Sequence, residues 1–181
     1  MKKIILIIIC SIITFIVVGI GCVFWVVKAN DAKNNDNPVY YGDEGSTKKA
    51  LIVYQNGRSS YNKDVAENIA SGLSDKGYYV TTNQPGDYLK KDLSEYDLVI
   101  FGSPVYAAQI SSVLQEYAKS VDNFGKARVI CYCVGNNPND DELKKFDDLF
   151  DKKIDGSFKI VKRKFDSDKD IAIEKVSKVI D

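Results

Sequence analysis

The sequence predicts a three-layer α/β protein, a doubly wound sheet of five parallel strands with helices on both faces, preceded by one transmembrane helix. Three observations carry this. From Lys48 onward, short apolar runs alternate with segments of helical period, the pattern of βα units with right-handed crossovers. Leu98, Val99, Ile100 and Phe101 form a continuous rather than alternating apolar run, as expected of a strand covered on both faces. Ile4 to Val27 contains no charged residue.

That charge-free stretch, at about 1.5 Å per residue, makes a helix of roughly 36 Å, against a hydrocarbon core of about 30 Å. No small-x-small cleavage site follows before Lys28, so residues 1–28 read as a retained membrane anchor. A lipid-attached alternative rests on Gly21-Cys22, but Gly19 stands where a bulky aliphatic residue is wanted and the apolar run continues through Val27. Lys2 and Lys3 lie on the short side, while Lys28 and Lys33 on the other are offset by Asp31 and Asp36. The positive-inside tendency therefore places the carboxyl-terminal domain outside the cytoplasm of a single-pass cell-membrane protein. Residues 29–47 are rich in Asn, Asp, Gly and Lys and show no period. They read as a flexible linker.

Residues 48–181 form the domain. Ala50–Tyr54 is the first strand, and the polar loop 55–62 leads to a helix whose Val65, Ile69 and Leu73 make one apolar stripe, ended at Gly77. Tyr78–Thr82 is the second strand. Asp87 is placed to cap one or two helical turns within Tyr88–Glu95. The third strand is Leu98–Phe101, stopped by Gly102, Ser103 and Pro104, and a helix with Val113, Leu114, Tyr117 and Ala118 follows. Lys126–Val134 is the fourth strand, broken by Gly135-Asn136-Asn137-Pro138. Asp140 then caps a helix holding Leu143, Phe146, Leu149 and Phe150. Phe158–Phe165 mixes apolar and basic residues on both faces, which suits an edge strand. A last helix carries Ile171, Ile173, Val176, Val179 and Ile180.

Composition removes several functions. There is no histidine, which eliminates Ser-His and Cys-His hydrolase chemistry and histidine metal sites. With Lys2, Lys3 and Lys28 set aside, 22 of the 25 basic residues face 25 acidic ones, so nucleic acid is not an expected partner. No metal is expected either. Cys131 and Cys133 sit two apart on one strand, about 6.5–7 Å from each other, which suits a buried pair better than a disulfide. Walker A and Gly-x-Gly-x-x-Gly patterns are absent.

In open doubly wound sheets, ligands bind outside the carboxyl ends of the strands. Three loops converge there: 55–62, 103–109 and 134–139. The first, QNGRSSYN, precedes a helix amino terminus that favours an anion. Ser59, Ser60 and Asn62 are side-chain donors and Arg58 is a nearby charge, although the same residues serve as ordinary helix caps. The second loop offers the Tyr106 ring, and the third offers Gly135 and two amides. A ligand with a phosphate at one end and a flat ring at the other satisfies all three.

The order LIVYQNGRSSYNKDVAENIASGL, YDLVIFGSPVYAAQISSVLQEYA, ARVICYCVGNNP resembles the flavodoxin-like family over nearly all of residues 48–181. The resemblance implies strand order 2-1-3-4-5 and FMN as cofactor. It further implies that Ser59, Ser60 and Asn62, with Arg58 and Tyr61 in the same loop, meet the phosphate. Pro104, Val105, Tyr106 and Ala107 would line the isoalloxazine ring, and Gly135, Asn136 and Asn137 its other side. Two departures stand out: Tyr61 falls about where the family carries a glycine, and Ala107 and Ala108 replace a glycine often found near the ring. A phosphoacceptor receiver domain is disfavoured, since Tyr54, Gln55, Gly102 and Ser103 stand where acidic residues are needed.

The expected function is thus a membrane-tethered FMN protein that transfers electrons to a partner the sequence does not name. Two alternatives remain at this stage: a binding module of the same fold that has lost FMN, and a flavin-dependent quinone-type reductase.

Overall fold

A computed structural model describes residues 2–31, 34–150 and 152–181. The chain runs α1 (Lys2–Asn30), β1 (Val39–Tyr41), β2 (Lys48–Tyr54), α2 (Tyr61–Asp75), β3 (Tyr78–Asn83), β4 (Leu98–Tyr106), β5 (Gln109–Ile110), α3 (Ser112–Ser120) and β6 (Arg128–Gly135). A 3-10 turn (Asp141–Leu143) and α4 (Lys144–Asp147) lead to β7 (Gly156–Val161), α5 (Lys162–Ser167) and α6 (Ile171–Ile180).

The parallel strands lie in order β3-β2-β4-β6-β7, the predicted 2-1-3-4-5 arrangement. Side-chain alternation along each strand divides the interior into two cores. Ile52, Ile100 and Tyr132 meet Val65, Ile69 and Leu73 of α2 and Ala172 and Val176 of α6. On the other face, Leu51, Val99, Phe101 and Cys131 meet Leu114 and Tyr117 of α3 and Phe146. Both cores are needed because neighbouring residues of β2, β4 and β6 are all buried. Cys131 and Cys133 are free and buried, as the sequence indicates.

Five sequence expectations need correction. The third strand does not stop at Gly102. It continues to Tyr106, because Gly102, Ser103 and Pro104 pair in parallel register with Tyr132, Cys133 and Val134. Gly102 is required by packing, since a side chain there would run into the Tyr132 ring. The fifth strand ends at Val161, and Lys162–Phe165 turn into α5 so that Phe165 reaches the α2 core. No helix forms in Tyr88–Glu95. Lys91 and Asn123 carbonyls accept N–H bonds from Asp122 and Leu93, tying that segment to the 122–123 loop instead. The helix expected after Asp140 is reduced to the 3-10 turn and the single turn of α4, and Asp140 makes no side-chain cap.

Residues 39–41, within the segment expected to be a linker, are the fifth difference. They form β1, antiparallel to β3, with Tyr41 opposite Val80 and the Tyr40 and Tyr79 rings stacked at 5.9 Å. The sheet is thereby extended beyond its β3 edge. α1 is long and apolar enough to span a membrane: within Lys3–Lys28, an 18-residue window has mean hydropathy 3.1 and none of that window is buried.

Candidate functional site

Three carboxyl-edge loops meet around one cleft of about 150 Å³ lined by Ser59, Tyr61, Asn62, Pro104, Val105, Tyr106, Val134, Gly135, Asn136 and Lys162. Eight of these ten are residues singled out from the sequence. The loop after β2 turns into α2 at Ser60, and the first N–H with an acceptor inside the helix belongs to Asp64, which donates to the Ser60 carbonyl at 2.8 Å. The N–H groups of Tyr61, Asn62 and Lys63 thus lie at the open, positive end of a four-turn helix.

The candidate side chains divide into those facing the cleft and those used elsewhere. Asn62 is 1% exposed and its amide donates to the carbonyls of Gln55 (2.7 Å) and Gly102 (3.1 Å). It ties the ends of β2 and β4 together from below the cleft, and its Oδ1 is buried without a partner. With both N–H groups committed, Asn62 is not available as the phosphate donor the sequence implied. Ser60 donates to Asp64 at 2.9 Å and does not line the cleft. Asp64 complements the helix dipole, yet it also places a carboxylate one turn from where an anion would sit.

Tyr61 crosses the mouth toward α5. Its hydroxyl donates to Asp166 at 2.8 Å, and Lys162 Nζ stands 4.1 Å above its ring. The Asp166 hydrogen bond, followed by burial, raises the Tyr61 hydroxyl pKa and keeps it a neutral donor. Tyr106 closes the opposite side. Its hydroxyl accepts the Arg58 N–H at 3.0 Å, joining the first and second loops. A Cβ on Gly57 would lie 2.7 Å from that hydroxyl and 3.2 Å from Pro104 Cβ, so a side chain there would push the Tyr106 hydroxyl aside.

Arg58 sends its guanidinium away from the cleft, to 5.8 Å from the Trp25 ring of α1. Ala107 and Ala108 also lie off the cleft. They form a two-residue hairpin between β4 and β5 with φ of 48° and 57°, a turn that normally calls for glycine or asparagine. On the third loop, Gly135 and Asn136 line the cleft, while Asn137 accepts the Asn139 N–H at 3.3 Å.

Sequence reasoning missed Val134 and Lys162. Lys162 was assigned to the middle of a strand, whereas it stands at the carboxyl end of β7 where a cleft-facing residue belongs. Ending that strand where the basic cluster begins would have found it. Beneath the third loop, Lys159 and Glu142 pair at 2.7 Å with side chains 1% and 5% exposed, and Lys159 also donates to the Asn139 carbonyl at 2.8 Å. This buried pair holds the loop that carries Gly135 and Asn136.

The donor set fits a phosphate. The α2 amino terminus opens at the cleft, and Ser59, a hydroxyl donor, and Lys162, a cation, are among its lining residues. For a whole flavin the cleft is narrow, since pockets for ligands of that size are about 300–1,000 Å³.

The sheet order, the two-faced core and the position of the cleft define an open doubly wound α/β protein with its site at the carboxyl edge. The flavodoxin domain family model matches residues 51–164, and the chain belongs to that family. Similar solved structures include an apo NADH:FMN oxidoreductase (TM-score 0.55, 16% identity, 74% of this chain and 87% of that one). A flavo di-iron protein from Thermotoga maritima is similar over 78% of this chain (TM-score 0.53, 17% identity). This chain spans 37% of that protein. A flavodoxin from the domain Archaea is matched over 74% of this chain and 99% of its own (TM-score 0.49, 17% identity). No curated protein sequence matches. Family membership supports a flavin-linked redox function in general.

Proposed function

We propose that this chain is a membrane-tethered flavodoxin-domain protein whose carboxyl-edge cleft binds FMN without a covalent bond and passes electrons. The observation that carries the proposal is the convergence of an anion-ready helix end, the Tyr106 ring and the Gly135-Asn136 backbone on one cleft. The Tyr61–Lys63 N–H groups, Ser59 and Lys162 would hold the phosphate. Tyr106 with Pro104 and Val105 would flank the ring on one side, and Gly135 and Asn136 on the other. Bound FMN supplies the electron-transfer chemistry, while the protein supplies position and electrostatics. No side chain is required as an acid or base. The apolar α1 supports tethering to the cell membrane, and the distribution of Lys2, Lys3 and Lys28 supports a domain outside the cytoplasm.

A second reading, a domain that keeps the fold without FMN, is favoured by the 150 Å³ cleft and by Tyr61 lying across its mouth. Absorption spectra of the full chain in detergent, after incubation with FMN and removal of free flavin, separate the two. A retained, shifted flavin spectrum supports the FMN protein. A protein left colourless at tens of micromolar FMN would sink it. Protease added to intact cells tests the topology, digestion of the domain being the expected result.

A further inference from the structure

Asp31 and residues 34–37, between α1 and β1, lie along the same sheet edge that bears the cleft. Asp31 accepts hydrogen bonds from the Ser112 N–H (3.0 Å) and hydroxyl (2.6 Å), capping α3 from outside. Asn34 donates to Gln55 Oε1 at the end of β2 (2.7 Å) and to the Pro85 carbonyl (2.9 Å). At the end of β3, Asn83 donates to Asp36 (2.8 Å) and accepts from the Asn37 N–H (3.2 Å). β1 then pairs with β3. The partners of Asp31, Asn34, Asp36 and Asn37 therefore sit at the carboxyl edge, from the start of α3 past β2 to the end of β3, and β1 continues down the outside of β3.

The end of α1 is fixed at the same place. Val27 and Asp31 face Pro104, Tyr106 and Gln109 across a small gap, and Arg58 of the first loop stacks on Trp25. Trp25 is one turn before Lys28, where the charge-free run ends. A tryptophan at that position is an interfacial residue of a membrane helix. With α1 across a bilayer, Arg58, one residue from the cleft-lining Ser59, would stand at the level of the headgroups. Exposed Arg163 and Lys164 follow the cleft-lining Lys162 on α5, adding cations that suit an anionic surface.

We infer that Asp31 and residues 34–41 form a strap that orients the domain with its carboxyl edge, and hence the cleft, against the surface of the membrane that α1 enters. The partner of this surface is the lipid headgroup layer, and exchange with the cleft takes place there rather than with bulk solvent. This rests on α1 spanning the bilayer and is independent of which ligand the cleft takes.

The test uses the full chain with Cys10 and Cys22 changed to Ala, reconstituted in anionic phospholipid vesicles. A single fluorophore is attached at Asn137→Cys beside the cleft, or at Lys126→Cys before β6 on the opposite edge. The edges are about 20–25 Å apart, the length of a seven-residue strand at about 3.3 Å per residue, so a quencher on the lipid headgroup discriminates them. Several-fold stronger quenching at Asn137→Cys is expected, and the difference should largely vanish when Asp31→Ala and Asn34→Ala are introduced together. Equal quenching at both labels, or stronger quenching at Lys126→Cys, overturns the strap in a chain that floats with the vesicles. Failure to float overturns it by removing the anchor itself, which leaves the FMN reading of the cleft standing.

Discussion

Lys159 illustrates how a single residue supports the site without touching a ligand. Its ammonium is removed from solvent and satisfied by Glu142 and the Asn139 carbonyl, which fixes the chain just beyond Gly135 and Asn136. Removing one partner of such a pair strands the other charge and costs about 3–5 kcal/mol, whereas apolar replacement of both is often near neutral. Lys159→Met should therefore lose stability of that order in chemical denaturation, and Lys159→Met with Glu142→Leu should recover most of it. Equal loss in both variants would show that packing, not the stranded carboxylate, dominates. Asn62 shows the opposite limit of residue-level reading. Its type and place suited a phosphate ligand, but the decisive fact is that two strand-end carbonyls take its N–H groups.

At the scale of elements, the alternating strands and helices were legible because burial on both sheet faces leaves continuous apolar runs. Boundaries were not, since they depend on neighbours distant in sequence. Gly102-Ser103-Pro104 has the composition of a turn and is strand because β6 lies alongside it. Lys162 was hidden for a related reason: Phe165 was counted with the strand residues although it reaches the core from a helical turn. The cleft was legible as a meeting of three loops, whereas the commitment of Asn62, Ser60 and Arg58 to other partners arises only on folding. The β4–β5 hairpin offers a direct check on backbone strain. Ala108 at φ 57° bears about 1–2 kcal/mol for its left-handed conformation, and glycine loses about 0.5–1 kcal/mol through its greater freedom when unfolded. Ala108→Gly should raise stability by about 0.5–1 kcal/mol, read as a higher Tm. A lower Tm would place the strain elsewhere.

The whole molecule couples an interior whose thiols and phenols stay protonated to a polar edge. Burial pushes the Cys133 thiol and the Tyr54 hydroxyl each up to about 12, and Cys131, Tyr117 and Tyr132 are also raised, first by burial. Below about pH 7.5, both folded and unfolded chains keep these protons and the groups give no slope. Above it the unfolded chain releases protons that the folded chain retains, so stability falls as pH rises through roughly 9 to 12. Denaturation midpoints should be flat from pH 6 to about 7.5 on account of these groups and decline clearly beyond 9. A midpoint that rises over that alkaline range would contradict the burial of these protonated thiols and phenols.

The strap joins this domain to α1, so the full chain is the proper object for ligand measurements. The most direct test of the central claim is calorimetric titration of that chain, in detergent, with FMN and separately with riboflavin. The account predicts saturable FMN binding, much weaker riboflavin binding because the helix end, Ser59 and Lys162 then have no phosphate to hold, and loss of the difference in Lys162→Glu. Equal affinity for the two flavins, or binding of neither, would contradict it.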